Sequence, residues 1–588
     1  MNNPRAATIS APVRVSGLVD LGARRLMARL GRQFTRSMPS PIACRATGAG
    51  IAIVPLMSGD RDQASALYKG RFQFGETAIE CSGRVIFDHR VPDAAWTAEL
   101  HGFGWLSSLE AGNRELYRVQ ARALVQDWME RTKSVDPRAW QTGTLSRRVI
   151  SWVVHAPFLL EEATADFSRL FLSNLGRQIR RLVRNIAGEG NRRARLDAAI
   201  ALNYACLGLD GMEPLRTMAY SRLARELNGQ ILADGGHISR SPAVLCDVLM
   251  DLMPLRAALE QARLEVPREL NEALERMVPM LRFFAHDDGG LAVFNGVHDT
   301  AADRVQAIYA ADKVCGRPLV HAIHSGYCRL VQGDATVIID TGRPPPPGLN
   351  DAAASGPLAF EMSDGEHRIV VNCGTPASGN DAWRNAARMT AAHSTVCIGD
   401  KSAGNVLAGR LMRKVFGTPV IMGPETIDGE VRSGDNGSVL DAEHDGYIPQ
   451  FGLSHHRRLF LAEDGKDLRG EDSFKIDLNH AGDISGVPFS ARFHIHPSVK
   501  ATLSQDSASV VLMLPNKTGW RFSAKGGRIK LEDSVYLPGN NGSKRSKQIV
   551  VDGIVGRPDR VQWAFKRIEK RKVHAQRPGR SNAPQLPL

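Results

Sequence analysis

The side chains best suited to chemistry fall into two sets. His324, Asp340 and His393 are two imidazoles and a carboxylate, donors that a divalent cation takes; two nitrogen ligands favour zinc, with calcium as the alternative. They come from separate strands, and spacing alone does not bring them together. The second set lies in Ile231-Leu-Ala-Asp234-Gly-Gly236-His237-Ile-Ser239-Arg240-Ser241-Pro242. Gly235 and Gly236 end one helix and Ser241 with Pro242 starts the next, so Asp234, His237 and Arg240 sit on a tight interhelix loop. Such a loop either offers an imidazole and a guanidinium to an acidic ligand or only joins two helices, with His237 bonded to a carbonyl.

Further histidines come in pairs. In Phe493-His-Ile-His-Pro, His494 and His496 are two apart on a strand and face the same way, as a metal pair or as the polar outer face of a sandwich edge. His455-His456 beside Arg457-Arg458 reads as a solvated turn. There is no phosphate-cradling glycine loop, nucleophile elbow or His-Glu-x-x-His, which argues against kinases, serine hydrolases and metalloproteases.

These residues need elements to hold them. From Trp105 to Phe284 apolar residues recur at helical spacing: Leu106, Leu109, Leu116, Val119 and Ala123, then Val149, Trp152, Val153 and Phe158, then Leu170, Leu175, Ile179 and Leu182. Further helices are expected over 194–209, 214–231, 242–261 and 267–284, giving an all-α domain of paired hairpins. Tyr204 on one of them is expected in the core. From His321 to Gly342 the pattern becomes that of a β-hairpin, with Cys328 and Leu330 before a Gln332-Gly333-Asp334 turn, Val337 to Ile339 after it, and Asp340 at its close. Short alternating strands follow over 359–362, 369–373, 395–398, 459–461, 491–496, 509–514, 528–531 and 548–551, with Asp-Gly and Asn-Gly turns at Asp364, Asn436, Asp464 and Asn541. Together they predict an antiparallel β-sandwich, and the fold class is multidomain α plus β. The expected divisions are a basic leader with short strands over 1–90, a helical domain over 91–290, a junction over 291–320, a sandwich over 321–565 and a basic, disordered tail over 566–588.

The hairpin, Gly356-Pro-Leu-Ala-Phe360-Glu361-Met-Ser363 and above all Arg388-Met-Thr390-Ala-Ala-His393-Ser-Thr395-Val resemble the sheet-domain signature of the heparinase II/III family of polysaccharide lyases. The resemblance runs over roughly residues 95 to 535 and rests on the order and spacing of short motifs. It implies an incomplete (α/α) toroid before the sandwich, an active cleft between them, and metal ligands at His324, Asp340 and His393. It also implies β-elimination from a uronate-containing glycan. In that reaction His237 or His324 would be the base, Tyr327 the acid, and Arg240 or Asn191 the partner of the substrate carboxylate, with Asp234 beside them. The chain departs from the family at two places: Asn191-Arg192-Arg193 stands near an expected Asn-His pair, and Ala243-Val-Leu-Cys246 stands where a Tyr-His pair belongs. The departures favour an alternative, a catalytically altered glycan-binding or envelope-biogenesis protein on the same fold.

Composition bounds the partners. The 588 residues suffice for two or three domains, and 43% hydrophobic with 23% charged residues describe a globular chain. A formal net charge of +13 favours polyanions, here an acidic polysaccharide. Part of that charge sits in the tail cluster Lys570-Arg571-Lys572, and with 6% aromatics a specific nucleic-acid partner is not expected. The cysteines are scattered singly with no Cys-x-x-Cys, as free thiols. No apolar stretch has signal-peptide or membrane-spanning length, so a cytoplasmic location is expected, with the periplasm or cell envelope as the alternative. A homodimer is an assembly open to such a chain.

Overall fold

Helices fill the N-terminal half because apolar side chains recur there every three to four residues. In the helix Ala165–Ala187, Phe167, Phe171, Leu175, Ile179, Leu182 and Ile186 are buried on one face, and the Thr164 hydroxyl caps the start by accepting from Phe167 N–H. The helix Arg192–Gly208 is buried all round from Leu196 onward and packs against Thr142–Val154 and Arg216–Gln230. In Glu115–Glu130 the inward face is Tyr117, Ala121, Val125 and Trp128, whereas Leu116 and Val119 are exposed. The period was legible there but its phase was not, because the two aromatics bury more area than the aliphatic residues beside them. Pro242–Gln261 matches its expected bounds and Arg268–Phe284 falls one residue short of its own; the junction contains a further helix, Ala302–Ala311.

The computed structural model describes residues 45–569 apart from 82–84, 299–300, 313–315, 317, 347, 377–380, 408–418, 478–485, 540–541 and 557–559. The basic leader to residue 44, the Asn541 turn and the cluster Lys570-Arg571-Lys572 lie outside the described residues.

Among the described residues the C-terminal half holds two large antiparallel sheets, with Asn405–Val406 and Val420–Met422 as a separate pair. One has nine strands, in which Arg528–Tyr536, Lys544–Ile554, Pro488–Ile495, His367–Val371, Phe360–Asp364, Ala335–Asp340, Tyr327–Gln332 and His321–Ala322 lie side by side and Val396–Ile398 pairs with Pro488–Ile495. The other has eight strands, with Gly437–Tyr447, Leu453–Ala462, Asp467–Ile476 and Arg560–Arg567 at its centre. The predicted hairpin closes with Gln332 opposite Ala335 and Tyr327 opposite Asp340, and Gly333 takes the positive φ that the two-residue turn requires.

The first sheet is covered on both faces. Tyr327, Ile338 and Ala359 belong to the helical core, while their neighbours Cys328, Val337, Ile339 and Phe360 belong to the core between the sheets. Every residue of Ala335–Asp340 is buried for this reason. The helical domain and the sandwich therefore share a wall.

Two sequence expectations are corrected. His455-His456-Arg457-Arg458 is the middle of a strand rather than a solvated turn, and alternation sends His455 and Arg457 into the sandwich interior. Their burial is tolerated because Asp472 accepts from Arg457 at 2.7 and 3.1 Å and sits 2.8 Å from His455 Nε2, while Arg457 also donates to the carbonyls of Leu358 and Ser394. His494 lies inside the first sheet and is buried, not on an outer edge; Ser534 Oγ and the Ala391 carbonyl hold its two ring nitrogens, and His496 turns to Ser498 instead.

Candidate functional site

The loop between the helices Arg216–Gln230 and Pro242–Gln261 folds back on itself, with Ile231 bridged to His237. Gly235 has φ 88° and its Cα faces the Arg276 carbonyl so closely that a Cβ would sit 1.9 Å from that oxygen. No other residue fits that turn. The backbone is thereby aimed at the sandwich, and Arg240, itself at φ 58°, drives its guanidinium into the hairpin. There it donates to the carbonyls of Ser325 at 2.8 Å and of Gly326, Gly342 and Arg343 at 3.0 Å, and to the carboxylate of Asp340. The Tyr327 ring lies 4.7 Å from the guanidinium carbon, and its hydroxyl donates to the Arg240 carbonyl at 2.8 Å while accepting from Asn295 at 2.6 Å. Asp234 accepts from Ser325 N–H at 2.6 Å and from its hydroxyl at 2.7 Å.

Four of the residues singled out from sequence, Asp234, Arg240, Tyr327 and Asp340, are thus brought together, as a clamp between the domains. Each is engaged within the protein. Burial pushes the Tyr327 hydroxyl above the range of an ordinary phenol, which leaves it a poor acid at neutral pH. His237 is not part of the clamp: its ring is buried, with Nδ1 2.7 Å from Ser239 Oγ and Nε2 3.2 Å from Gln230 Oε1. Burial, reinforced by the charges of Arg193 and Arg192, lowers its pKa to about 3. It is the bonded loop histidine and not a group presented to solvent.

The proposed metal donors do not fit a metal. Asp340 is occupied by Arg240, His324 is exposed on the turn before the hairpin, and His393 is buried against Gly356 with Nε2 lacking a hydrogen-bond partner. Among the described residues no group of three His, Cys, Asp or Glu side chains is placed to hold an ion. A guanidinium fills the role that a cation would otherwise play at Asp340.

The space for a ligand lies elsewhere, within the helical domain. A cavity of about 740 Å³ opens between the helices Ala94–Gly102, Thr142–Val154, Arg192–Gly208 and Pro242–Gln261. Its floor carries Arg147, whose Nη1 lies 2.8 and 2.7 Å from the carboxylate oxygens of Asp251 and whose Nη2 lies 3.7 Å from Asp197. Arg193 donates to the same Asp197 oxygen at 3.0 Å. Burial works against the charge of Arg147, but Asp251, Asp197 and Asp247 outweigh it and hold the guanidinium protonated. At the rim, Glu189 accepts from the Thr142 hydroxyl and from Asn191 N–H, and the Asn191 side chain caps its helix by accepting from Ala194 N–H. Tyr204 lines the wall with its hydroxyl donated to the Asp251 carbonyl, and His155 lies with Nδ1 2.6 Å from Glu110.

Of the sequence candidates only Asn191 borders this cavity. Glu99, Arg147, His155, Asp197 and Asp251 were missed. Arg147 is one of an arginine pair with Arg148, whereas for Asp251 the signal was a lone charge inside an otherwise apolar helical run, Val248-Leu-Met-Asp251-Leu-Met, and for Asp197 a carboxylate opening the apolar run Ala-Ala-Ile-Ala-Leu. Reading for apolar period treats such a residue as noise.

Comparison with known proteins agrees with this architecture. Residues 315–564 match the heparinase II/III-like C-terminal domain. FtsZ-localized protein C of Caulobacter vibrioides is 33% identical over 492 residues, covering 82% of this chain and 84% of that protein. Among solved structures, a heparinase III superposes with a TM-score of 0.67 at 15% identity, covering 96% of this chain and 93% of its own. The heparan sulfate lyase HepC of Pedobacter heparinus gives a TM-score of 0.55 at 16% identity, covering 96% and 92%. At these identities the structural likeness is one of fold, a helical toroid followed by an antiparallel sandwich. Taken with the sheet-domain match and the Caulobacter relative, it establishes that the chain belongs to the heparinase II/III-like family.

Proposed function

We propose that this protein binds glycan in the helical cavity and serves envelope biogenesis, having lost the uronate elimination for which its fold is known. The observation that carries the reading is the engagement of the elimination candidates. Elimination needs a base for the C5 proton, an acid for the leaving oxygen and a donor for the substrate carboxylate. Here His237 and Tyr327 are sealed in buried hydrogen bonds and Arg240 is spent on the hairpin carbonyls and Asp340; of the other two candidates, His324 is exposed away from the cavity and the Asn191 side chain caps its helix. The cavity itself keeps the size of a saccharide site and mixes apolar wall with polar groups. The name of the Caulobacter relative, an FtsZ-localized protein, supports a place alongside FtsZ.

The His155–Glu110 pair favours a second reading, an active lyase, since a carboxylate on one ring nitrogen orients an imidazole as a base. The two readings separate by ultraviolet absorbance, because elimination leaves a conjugated double bond. Incubated with heparin, heparan sulfate, hyaluronan, alginate and bacterial exopolysaccharides, the protein is expected to give no absorbance growth. Growth abolished by His155→Ala would install the lyase reading in its place.

A further inference from the structure

The eight-stranded sheet ends on one side at the strand Ile427–Gly434, which among the described residues pairs only with Gly437–Tyr447. The ladder determines which of its main-chain groups face outward. Just before the strand, Asp445 N–H donates to the Thr426 carbonyl, and direction alternates residue by residue from there. Asp428, Glu430, Arg432 and Gly434 therefore turn to Gly437–Tyr447, while Ile427, Gly429, Val431 and Ser433 turn away. Among the described residues nothing bonds the N–H or C=O of those four. Natural sheet edges are commonly short, bulged or guarded by proline or lysine. Lys500–Leu503, at the other side of the same sheet, has four residues and opens on a lysine. Ile427–Gly434 has eight, keeps a regular register throughout and carries neither proline nor lysine.

We infer that this edge pairs antiparallel with the same edge of a second copy of the chain, about a two-fold axis through Val431. Charge selects both the partner and the register. Asp428, Glu430 and Arg432 alternate along the strand on one face and are exposed. In an antiparallel pair centred on Val431, Glu430 of each copy lies opposite Arg432 of the other, so the two copies make two oppositely charged pairs. A slip of two residues, the smallest that keeps each side chain on its own face, sets Glu430 against Glu430 or Arg432 against Arg432. Glu430 is short of a partner within its own sheet, where it faces Asp441 across the ladder. Its bond to Arg432 at 2.6 Å runs within the strand and is open to water, where an ion pair contributes little. On the inward face Val431, half-buried against the sandwich core, meets its counterpart at the axis. The outward groups of Gly429, Val431 and Ser433 then close a ladder of about six main-chain hydrogen bonds, and an interface of that size makes a weak, reversible dimer.

Sedimentation velocity of the full-length protein over about 1–200 µM tests the pairing. The parent chain is expected to move from monomer toward twice that mass as concentration rises. Glu430→Arg gathers four like charges about the axis and should weaken association at least about tenfold. The exchange Glu430→Arg/Arg432→Glu restores opposite signs in the same register and should return association to within about threefold of the parent. Both positions are exposed, so the melting midpoints of the variants should match that of the parent, which separates lost association from lost folding. A monomer throughout the range, a dimer indifferent to Glu430→Arg, or a charge exchange that fails to restore association overturns the proposal.

Discussion

Replacing Arg240 by Met tests whether the clamp holds the two domains together. The change removes the only formal positive charge bonded to Asp340 among the described residues, and leaves a carboxylate that is 7% exposed. Breaking a buried pair by removing one partner costs about 3–5 kcal/mol, a large part of the ~5–15 kcal/mol that folding yields. The loss should depend on pH with a definite sign. Burial already raises the Asp340 pKa above the ordinary carboxylate range, the charge of Arg240 opposing, and without Arg240 it rises further. The native variant then holds a proton that the unfolded chain releases above about pH 4, so its stability falls as pH rises from there toward the folded pKa, by at most about 1.4 kcal/mol per pH unit. Urea unfolding followed by tryptophan fluorescence should therefore show a larger deficit at pH 7 than at pH 5. The double variant Arg240→Met/Asp340→Leu should recover about 2 kcal/mol or more, since an apolar pair of similar volume replaces the ions. A single-variant cost under about 1 kcal/mol, or a double variant no better than the single, would refute the clamp.

Three further outcomes are expected. Arg457→Met should cost about 3–5 kcal/mol by stranding the fully buried Asp472, read as a lower urea midpoint, while the exposed neighbour Arg458→Met should cost under about 1 kcal/mol. His237 stays neutral in the folded protein to about pH 3, so the unfolded chain takes up its proton first as pH falls below about 6.5. Stability present at pH 7 is then lost on acidification, and His237→Gln should be less sensitive by about 2 kcal/mol between pH 7 and pH 5; equal sensitivity would show that the ring is hydrated. Chelation with EDTA should leave the melting midpoint unchanged, because Arg240 occupies Asp340; a lower midpoint would show a metal that the donor geometry does not provide for.

Sequence patterning showed much of the architecture, because helical spacing and two-residue alternation report which faces are buried. It identified the hairpin ending at Asp340 and the interhelix loop, whose glycines and proline have few other uses. It did not show that Asp234 and Arg240 reach Ser325 and Asp340, contacts across 91 and 100 residues of chain. Donor types at His324, Asp340 and His393 suggested a metal, yet a guanidinium from a distant loop satisfies the same carboxylate. The cavity was hidden for the converse reason: Asp197 and Asp251 are isolated in apolar helices, and only the packing of those helices sets both beside Arg147. The central strands Gly437–Tyr447 and Asp467–Ile476 were also missed, since their outward residues are charged and interrupt any apolar run.

The strand Tyr327–Gln332 contributes alternate residues to two different cores, Tyr327 to the helices and Cys328 and Leu330 to the sandwich. Melting either core would strip one face of the same strand and expose the backbone ladder that the other depends on. Differential scanning calorimetry should accordingly give one endotherm and not two. A fragment cut at the junction would display Ala322, Tyr327, Ile338 and Ala359 as an uncovered apolar face, so the helical and sheet halves should express as aggregates when separated and persist only as a joined chain.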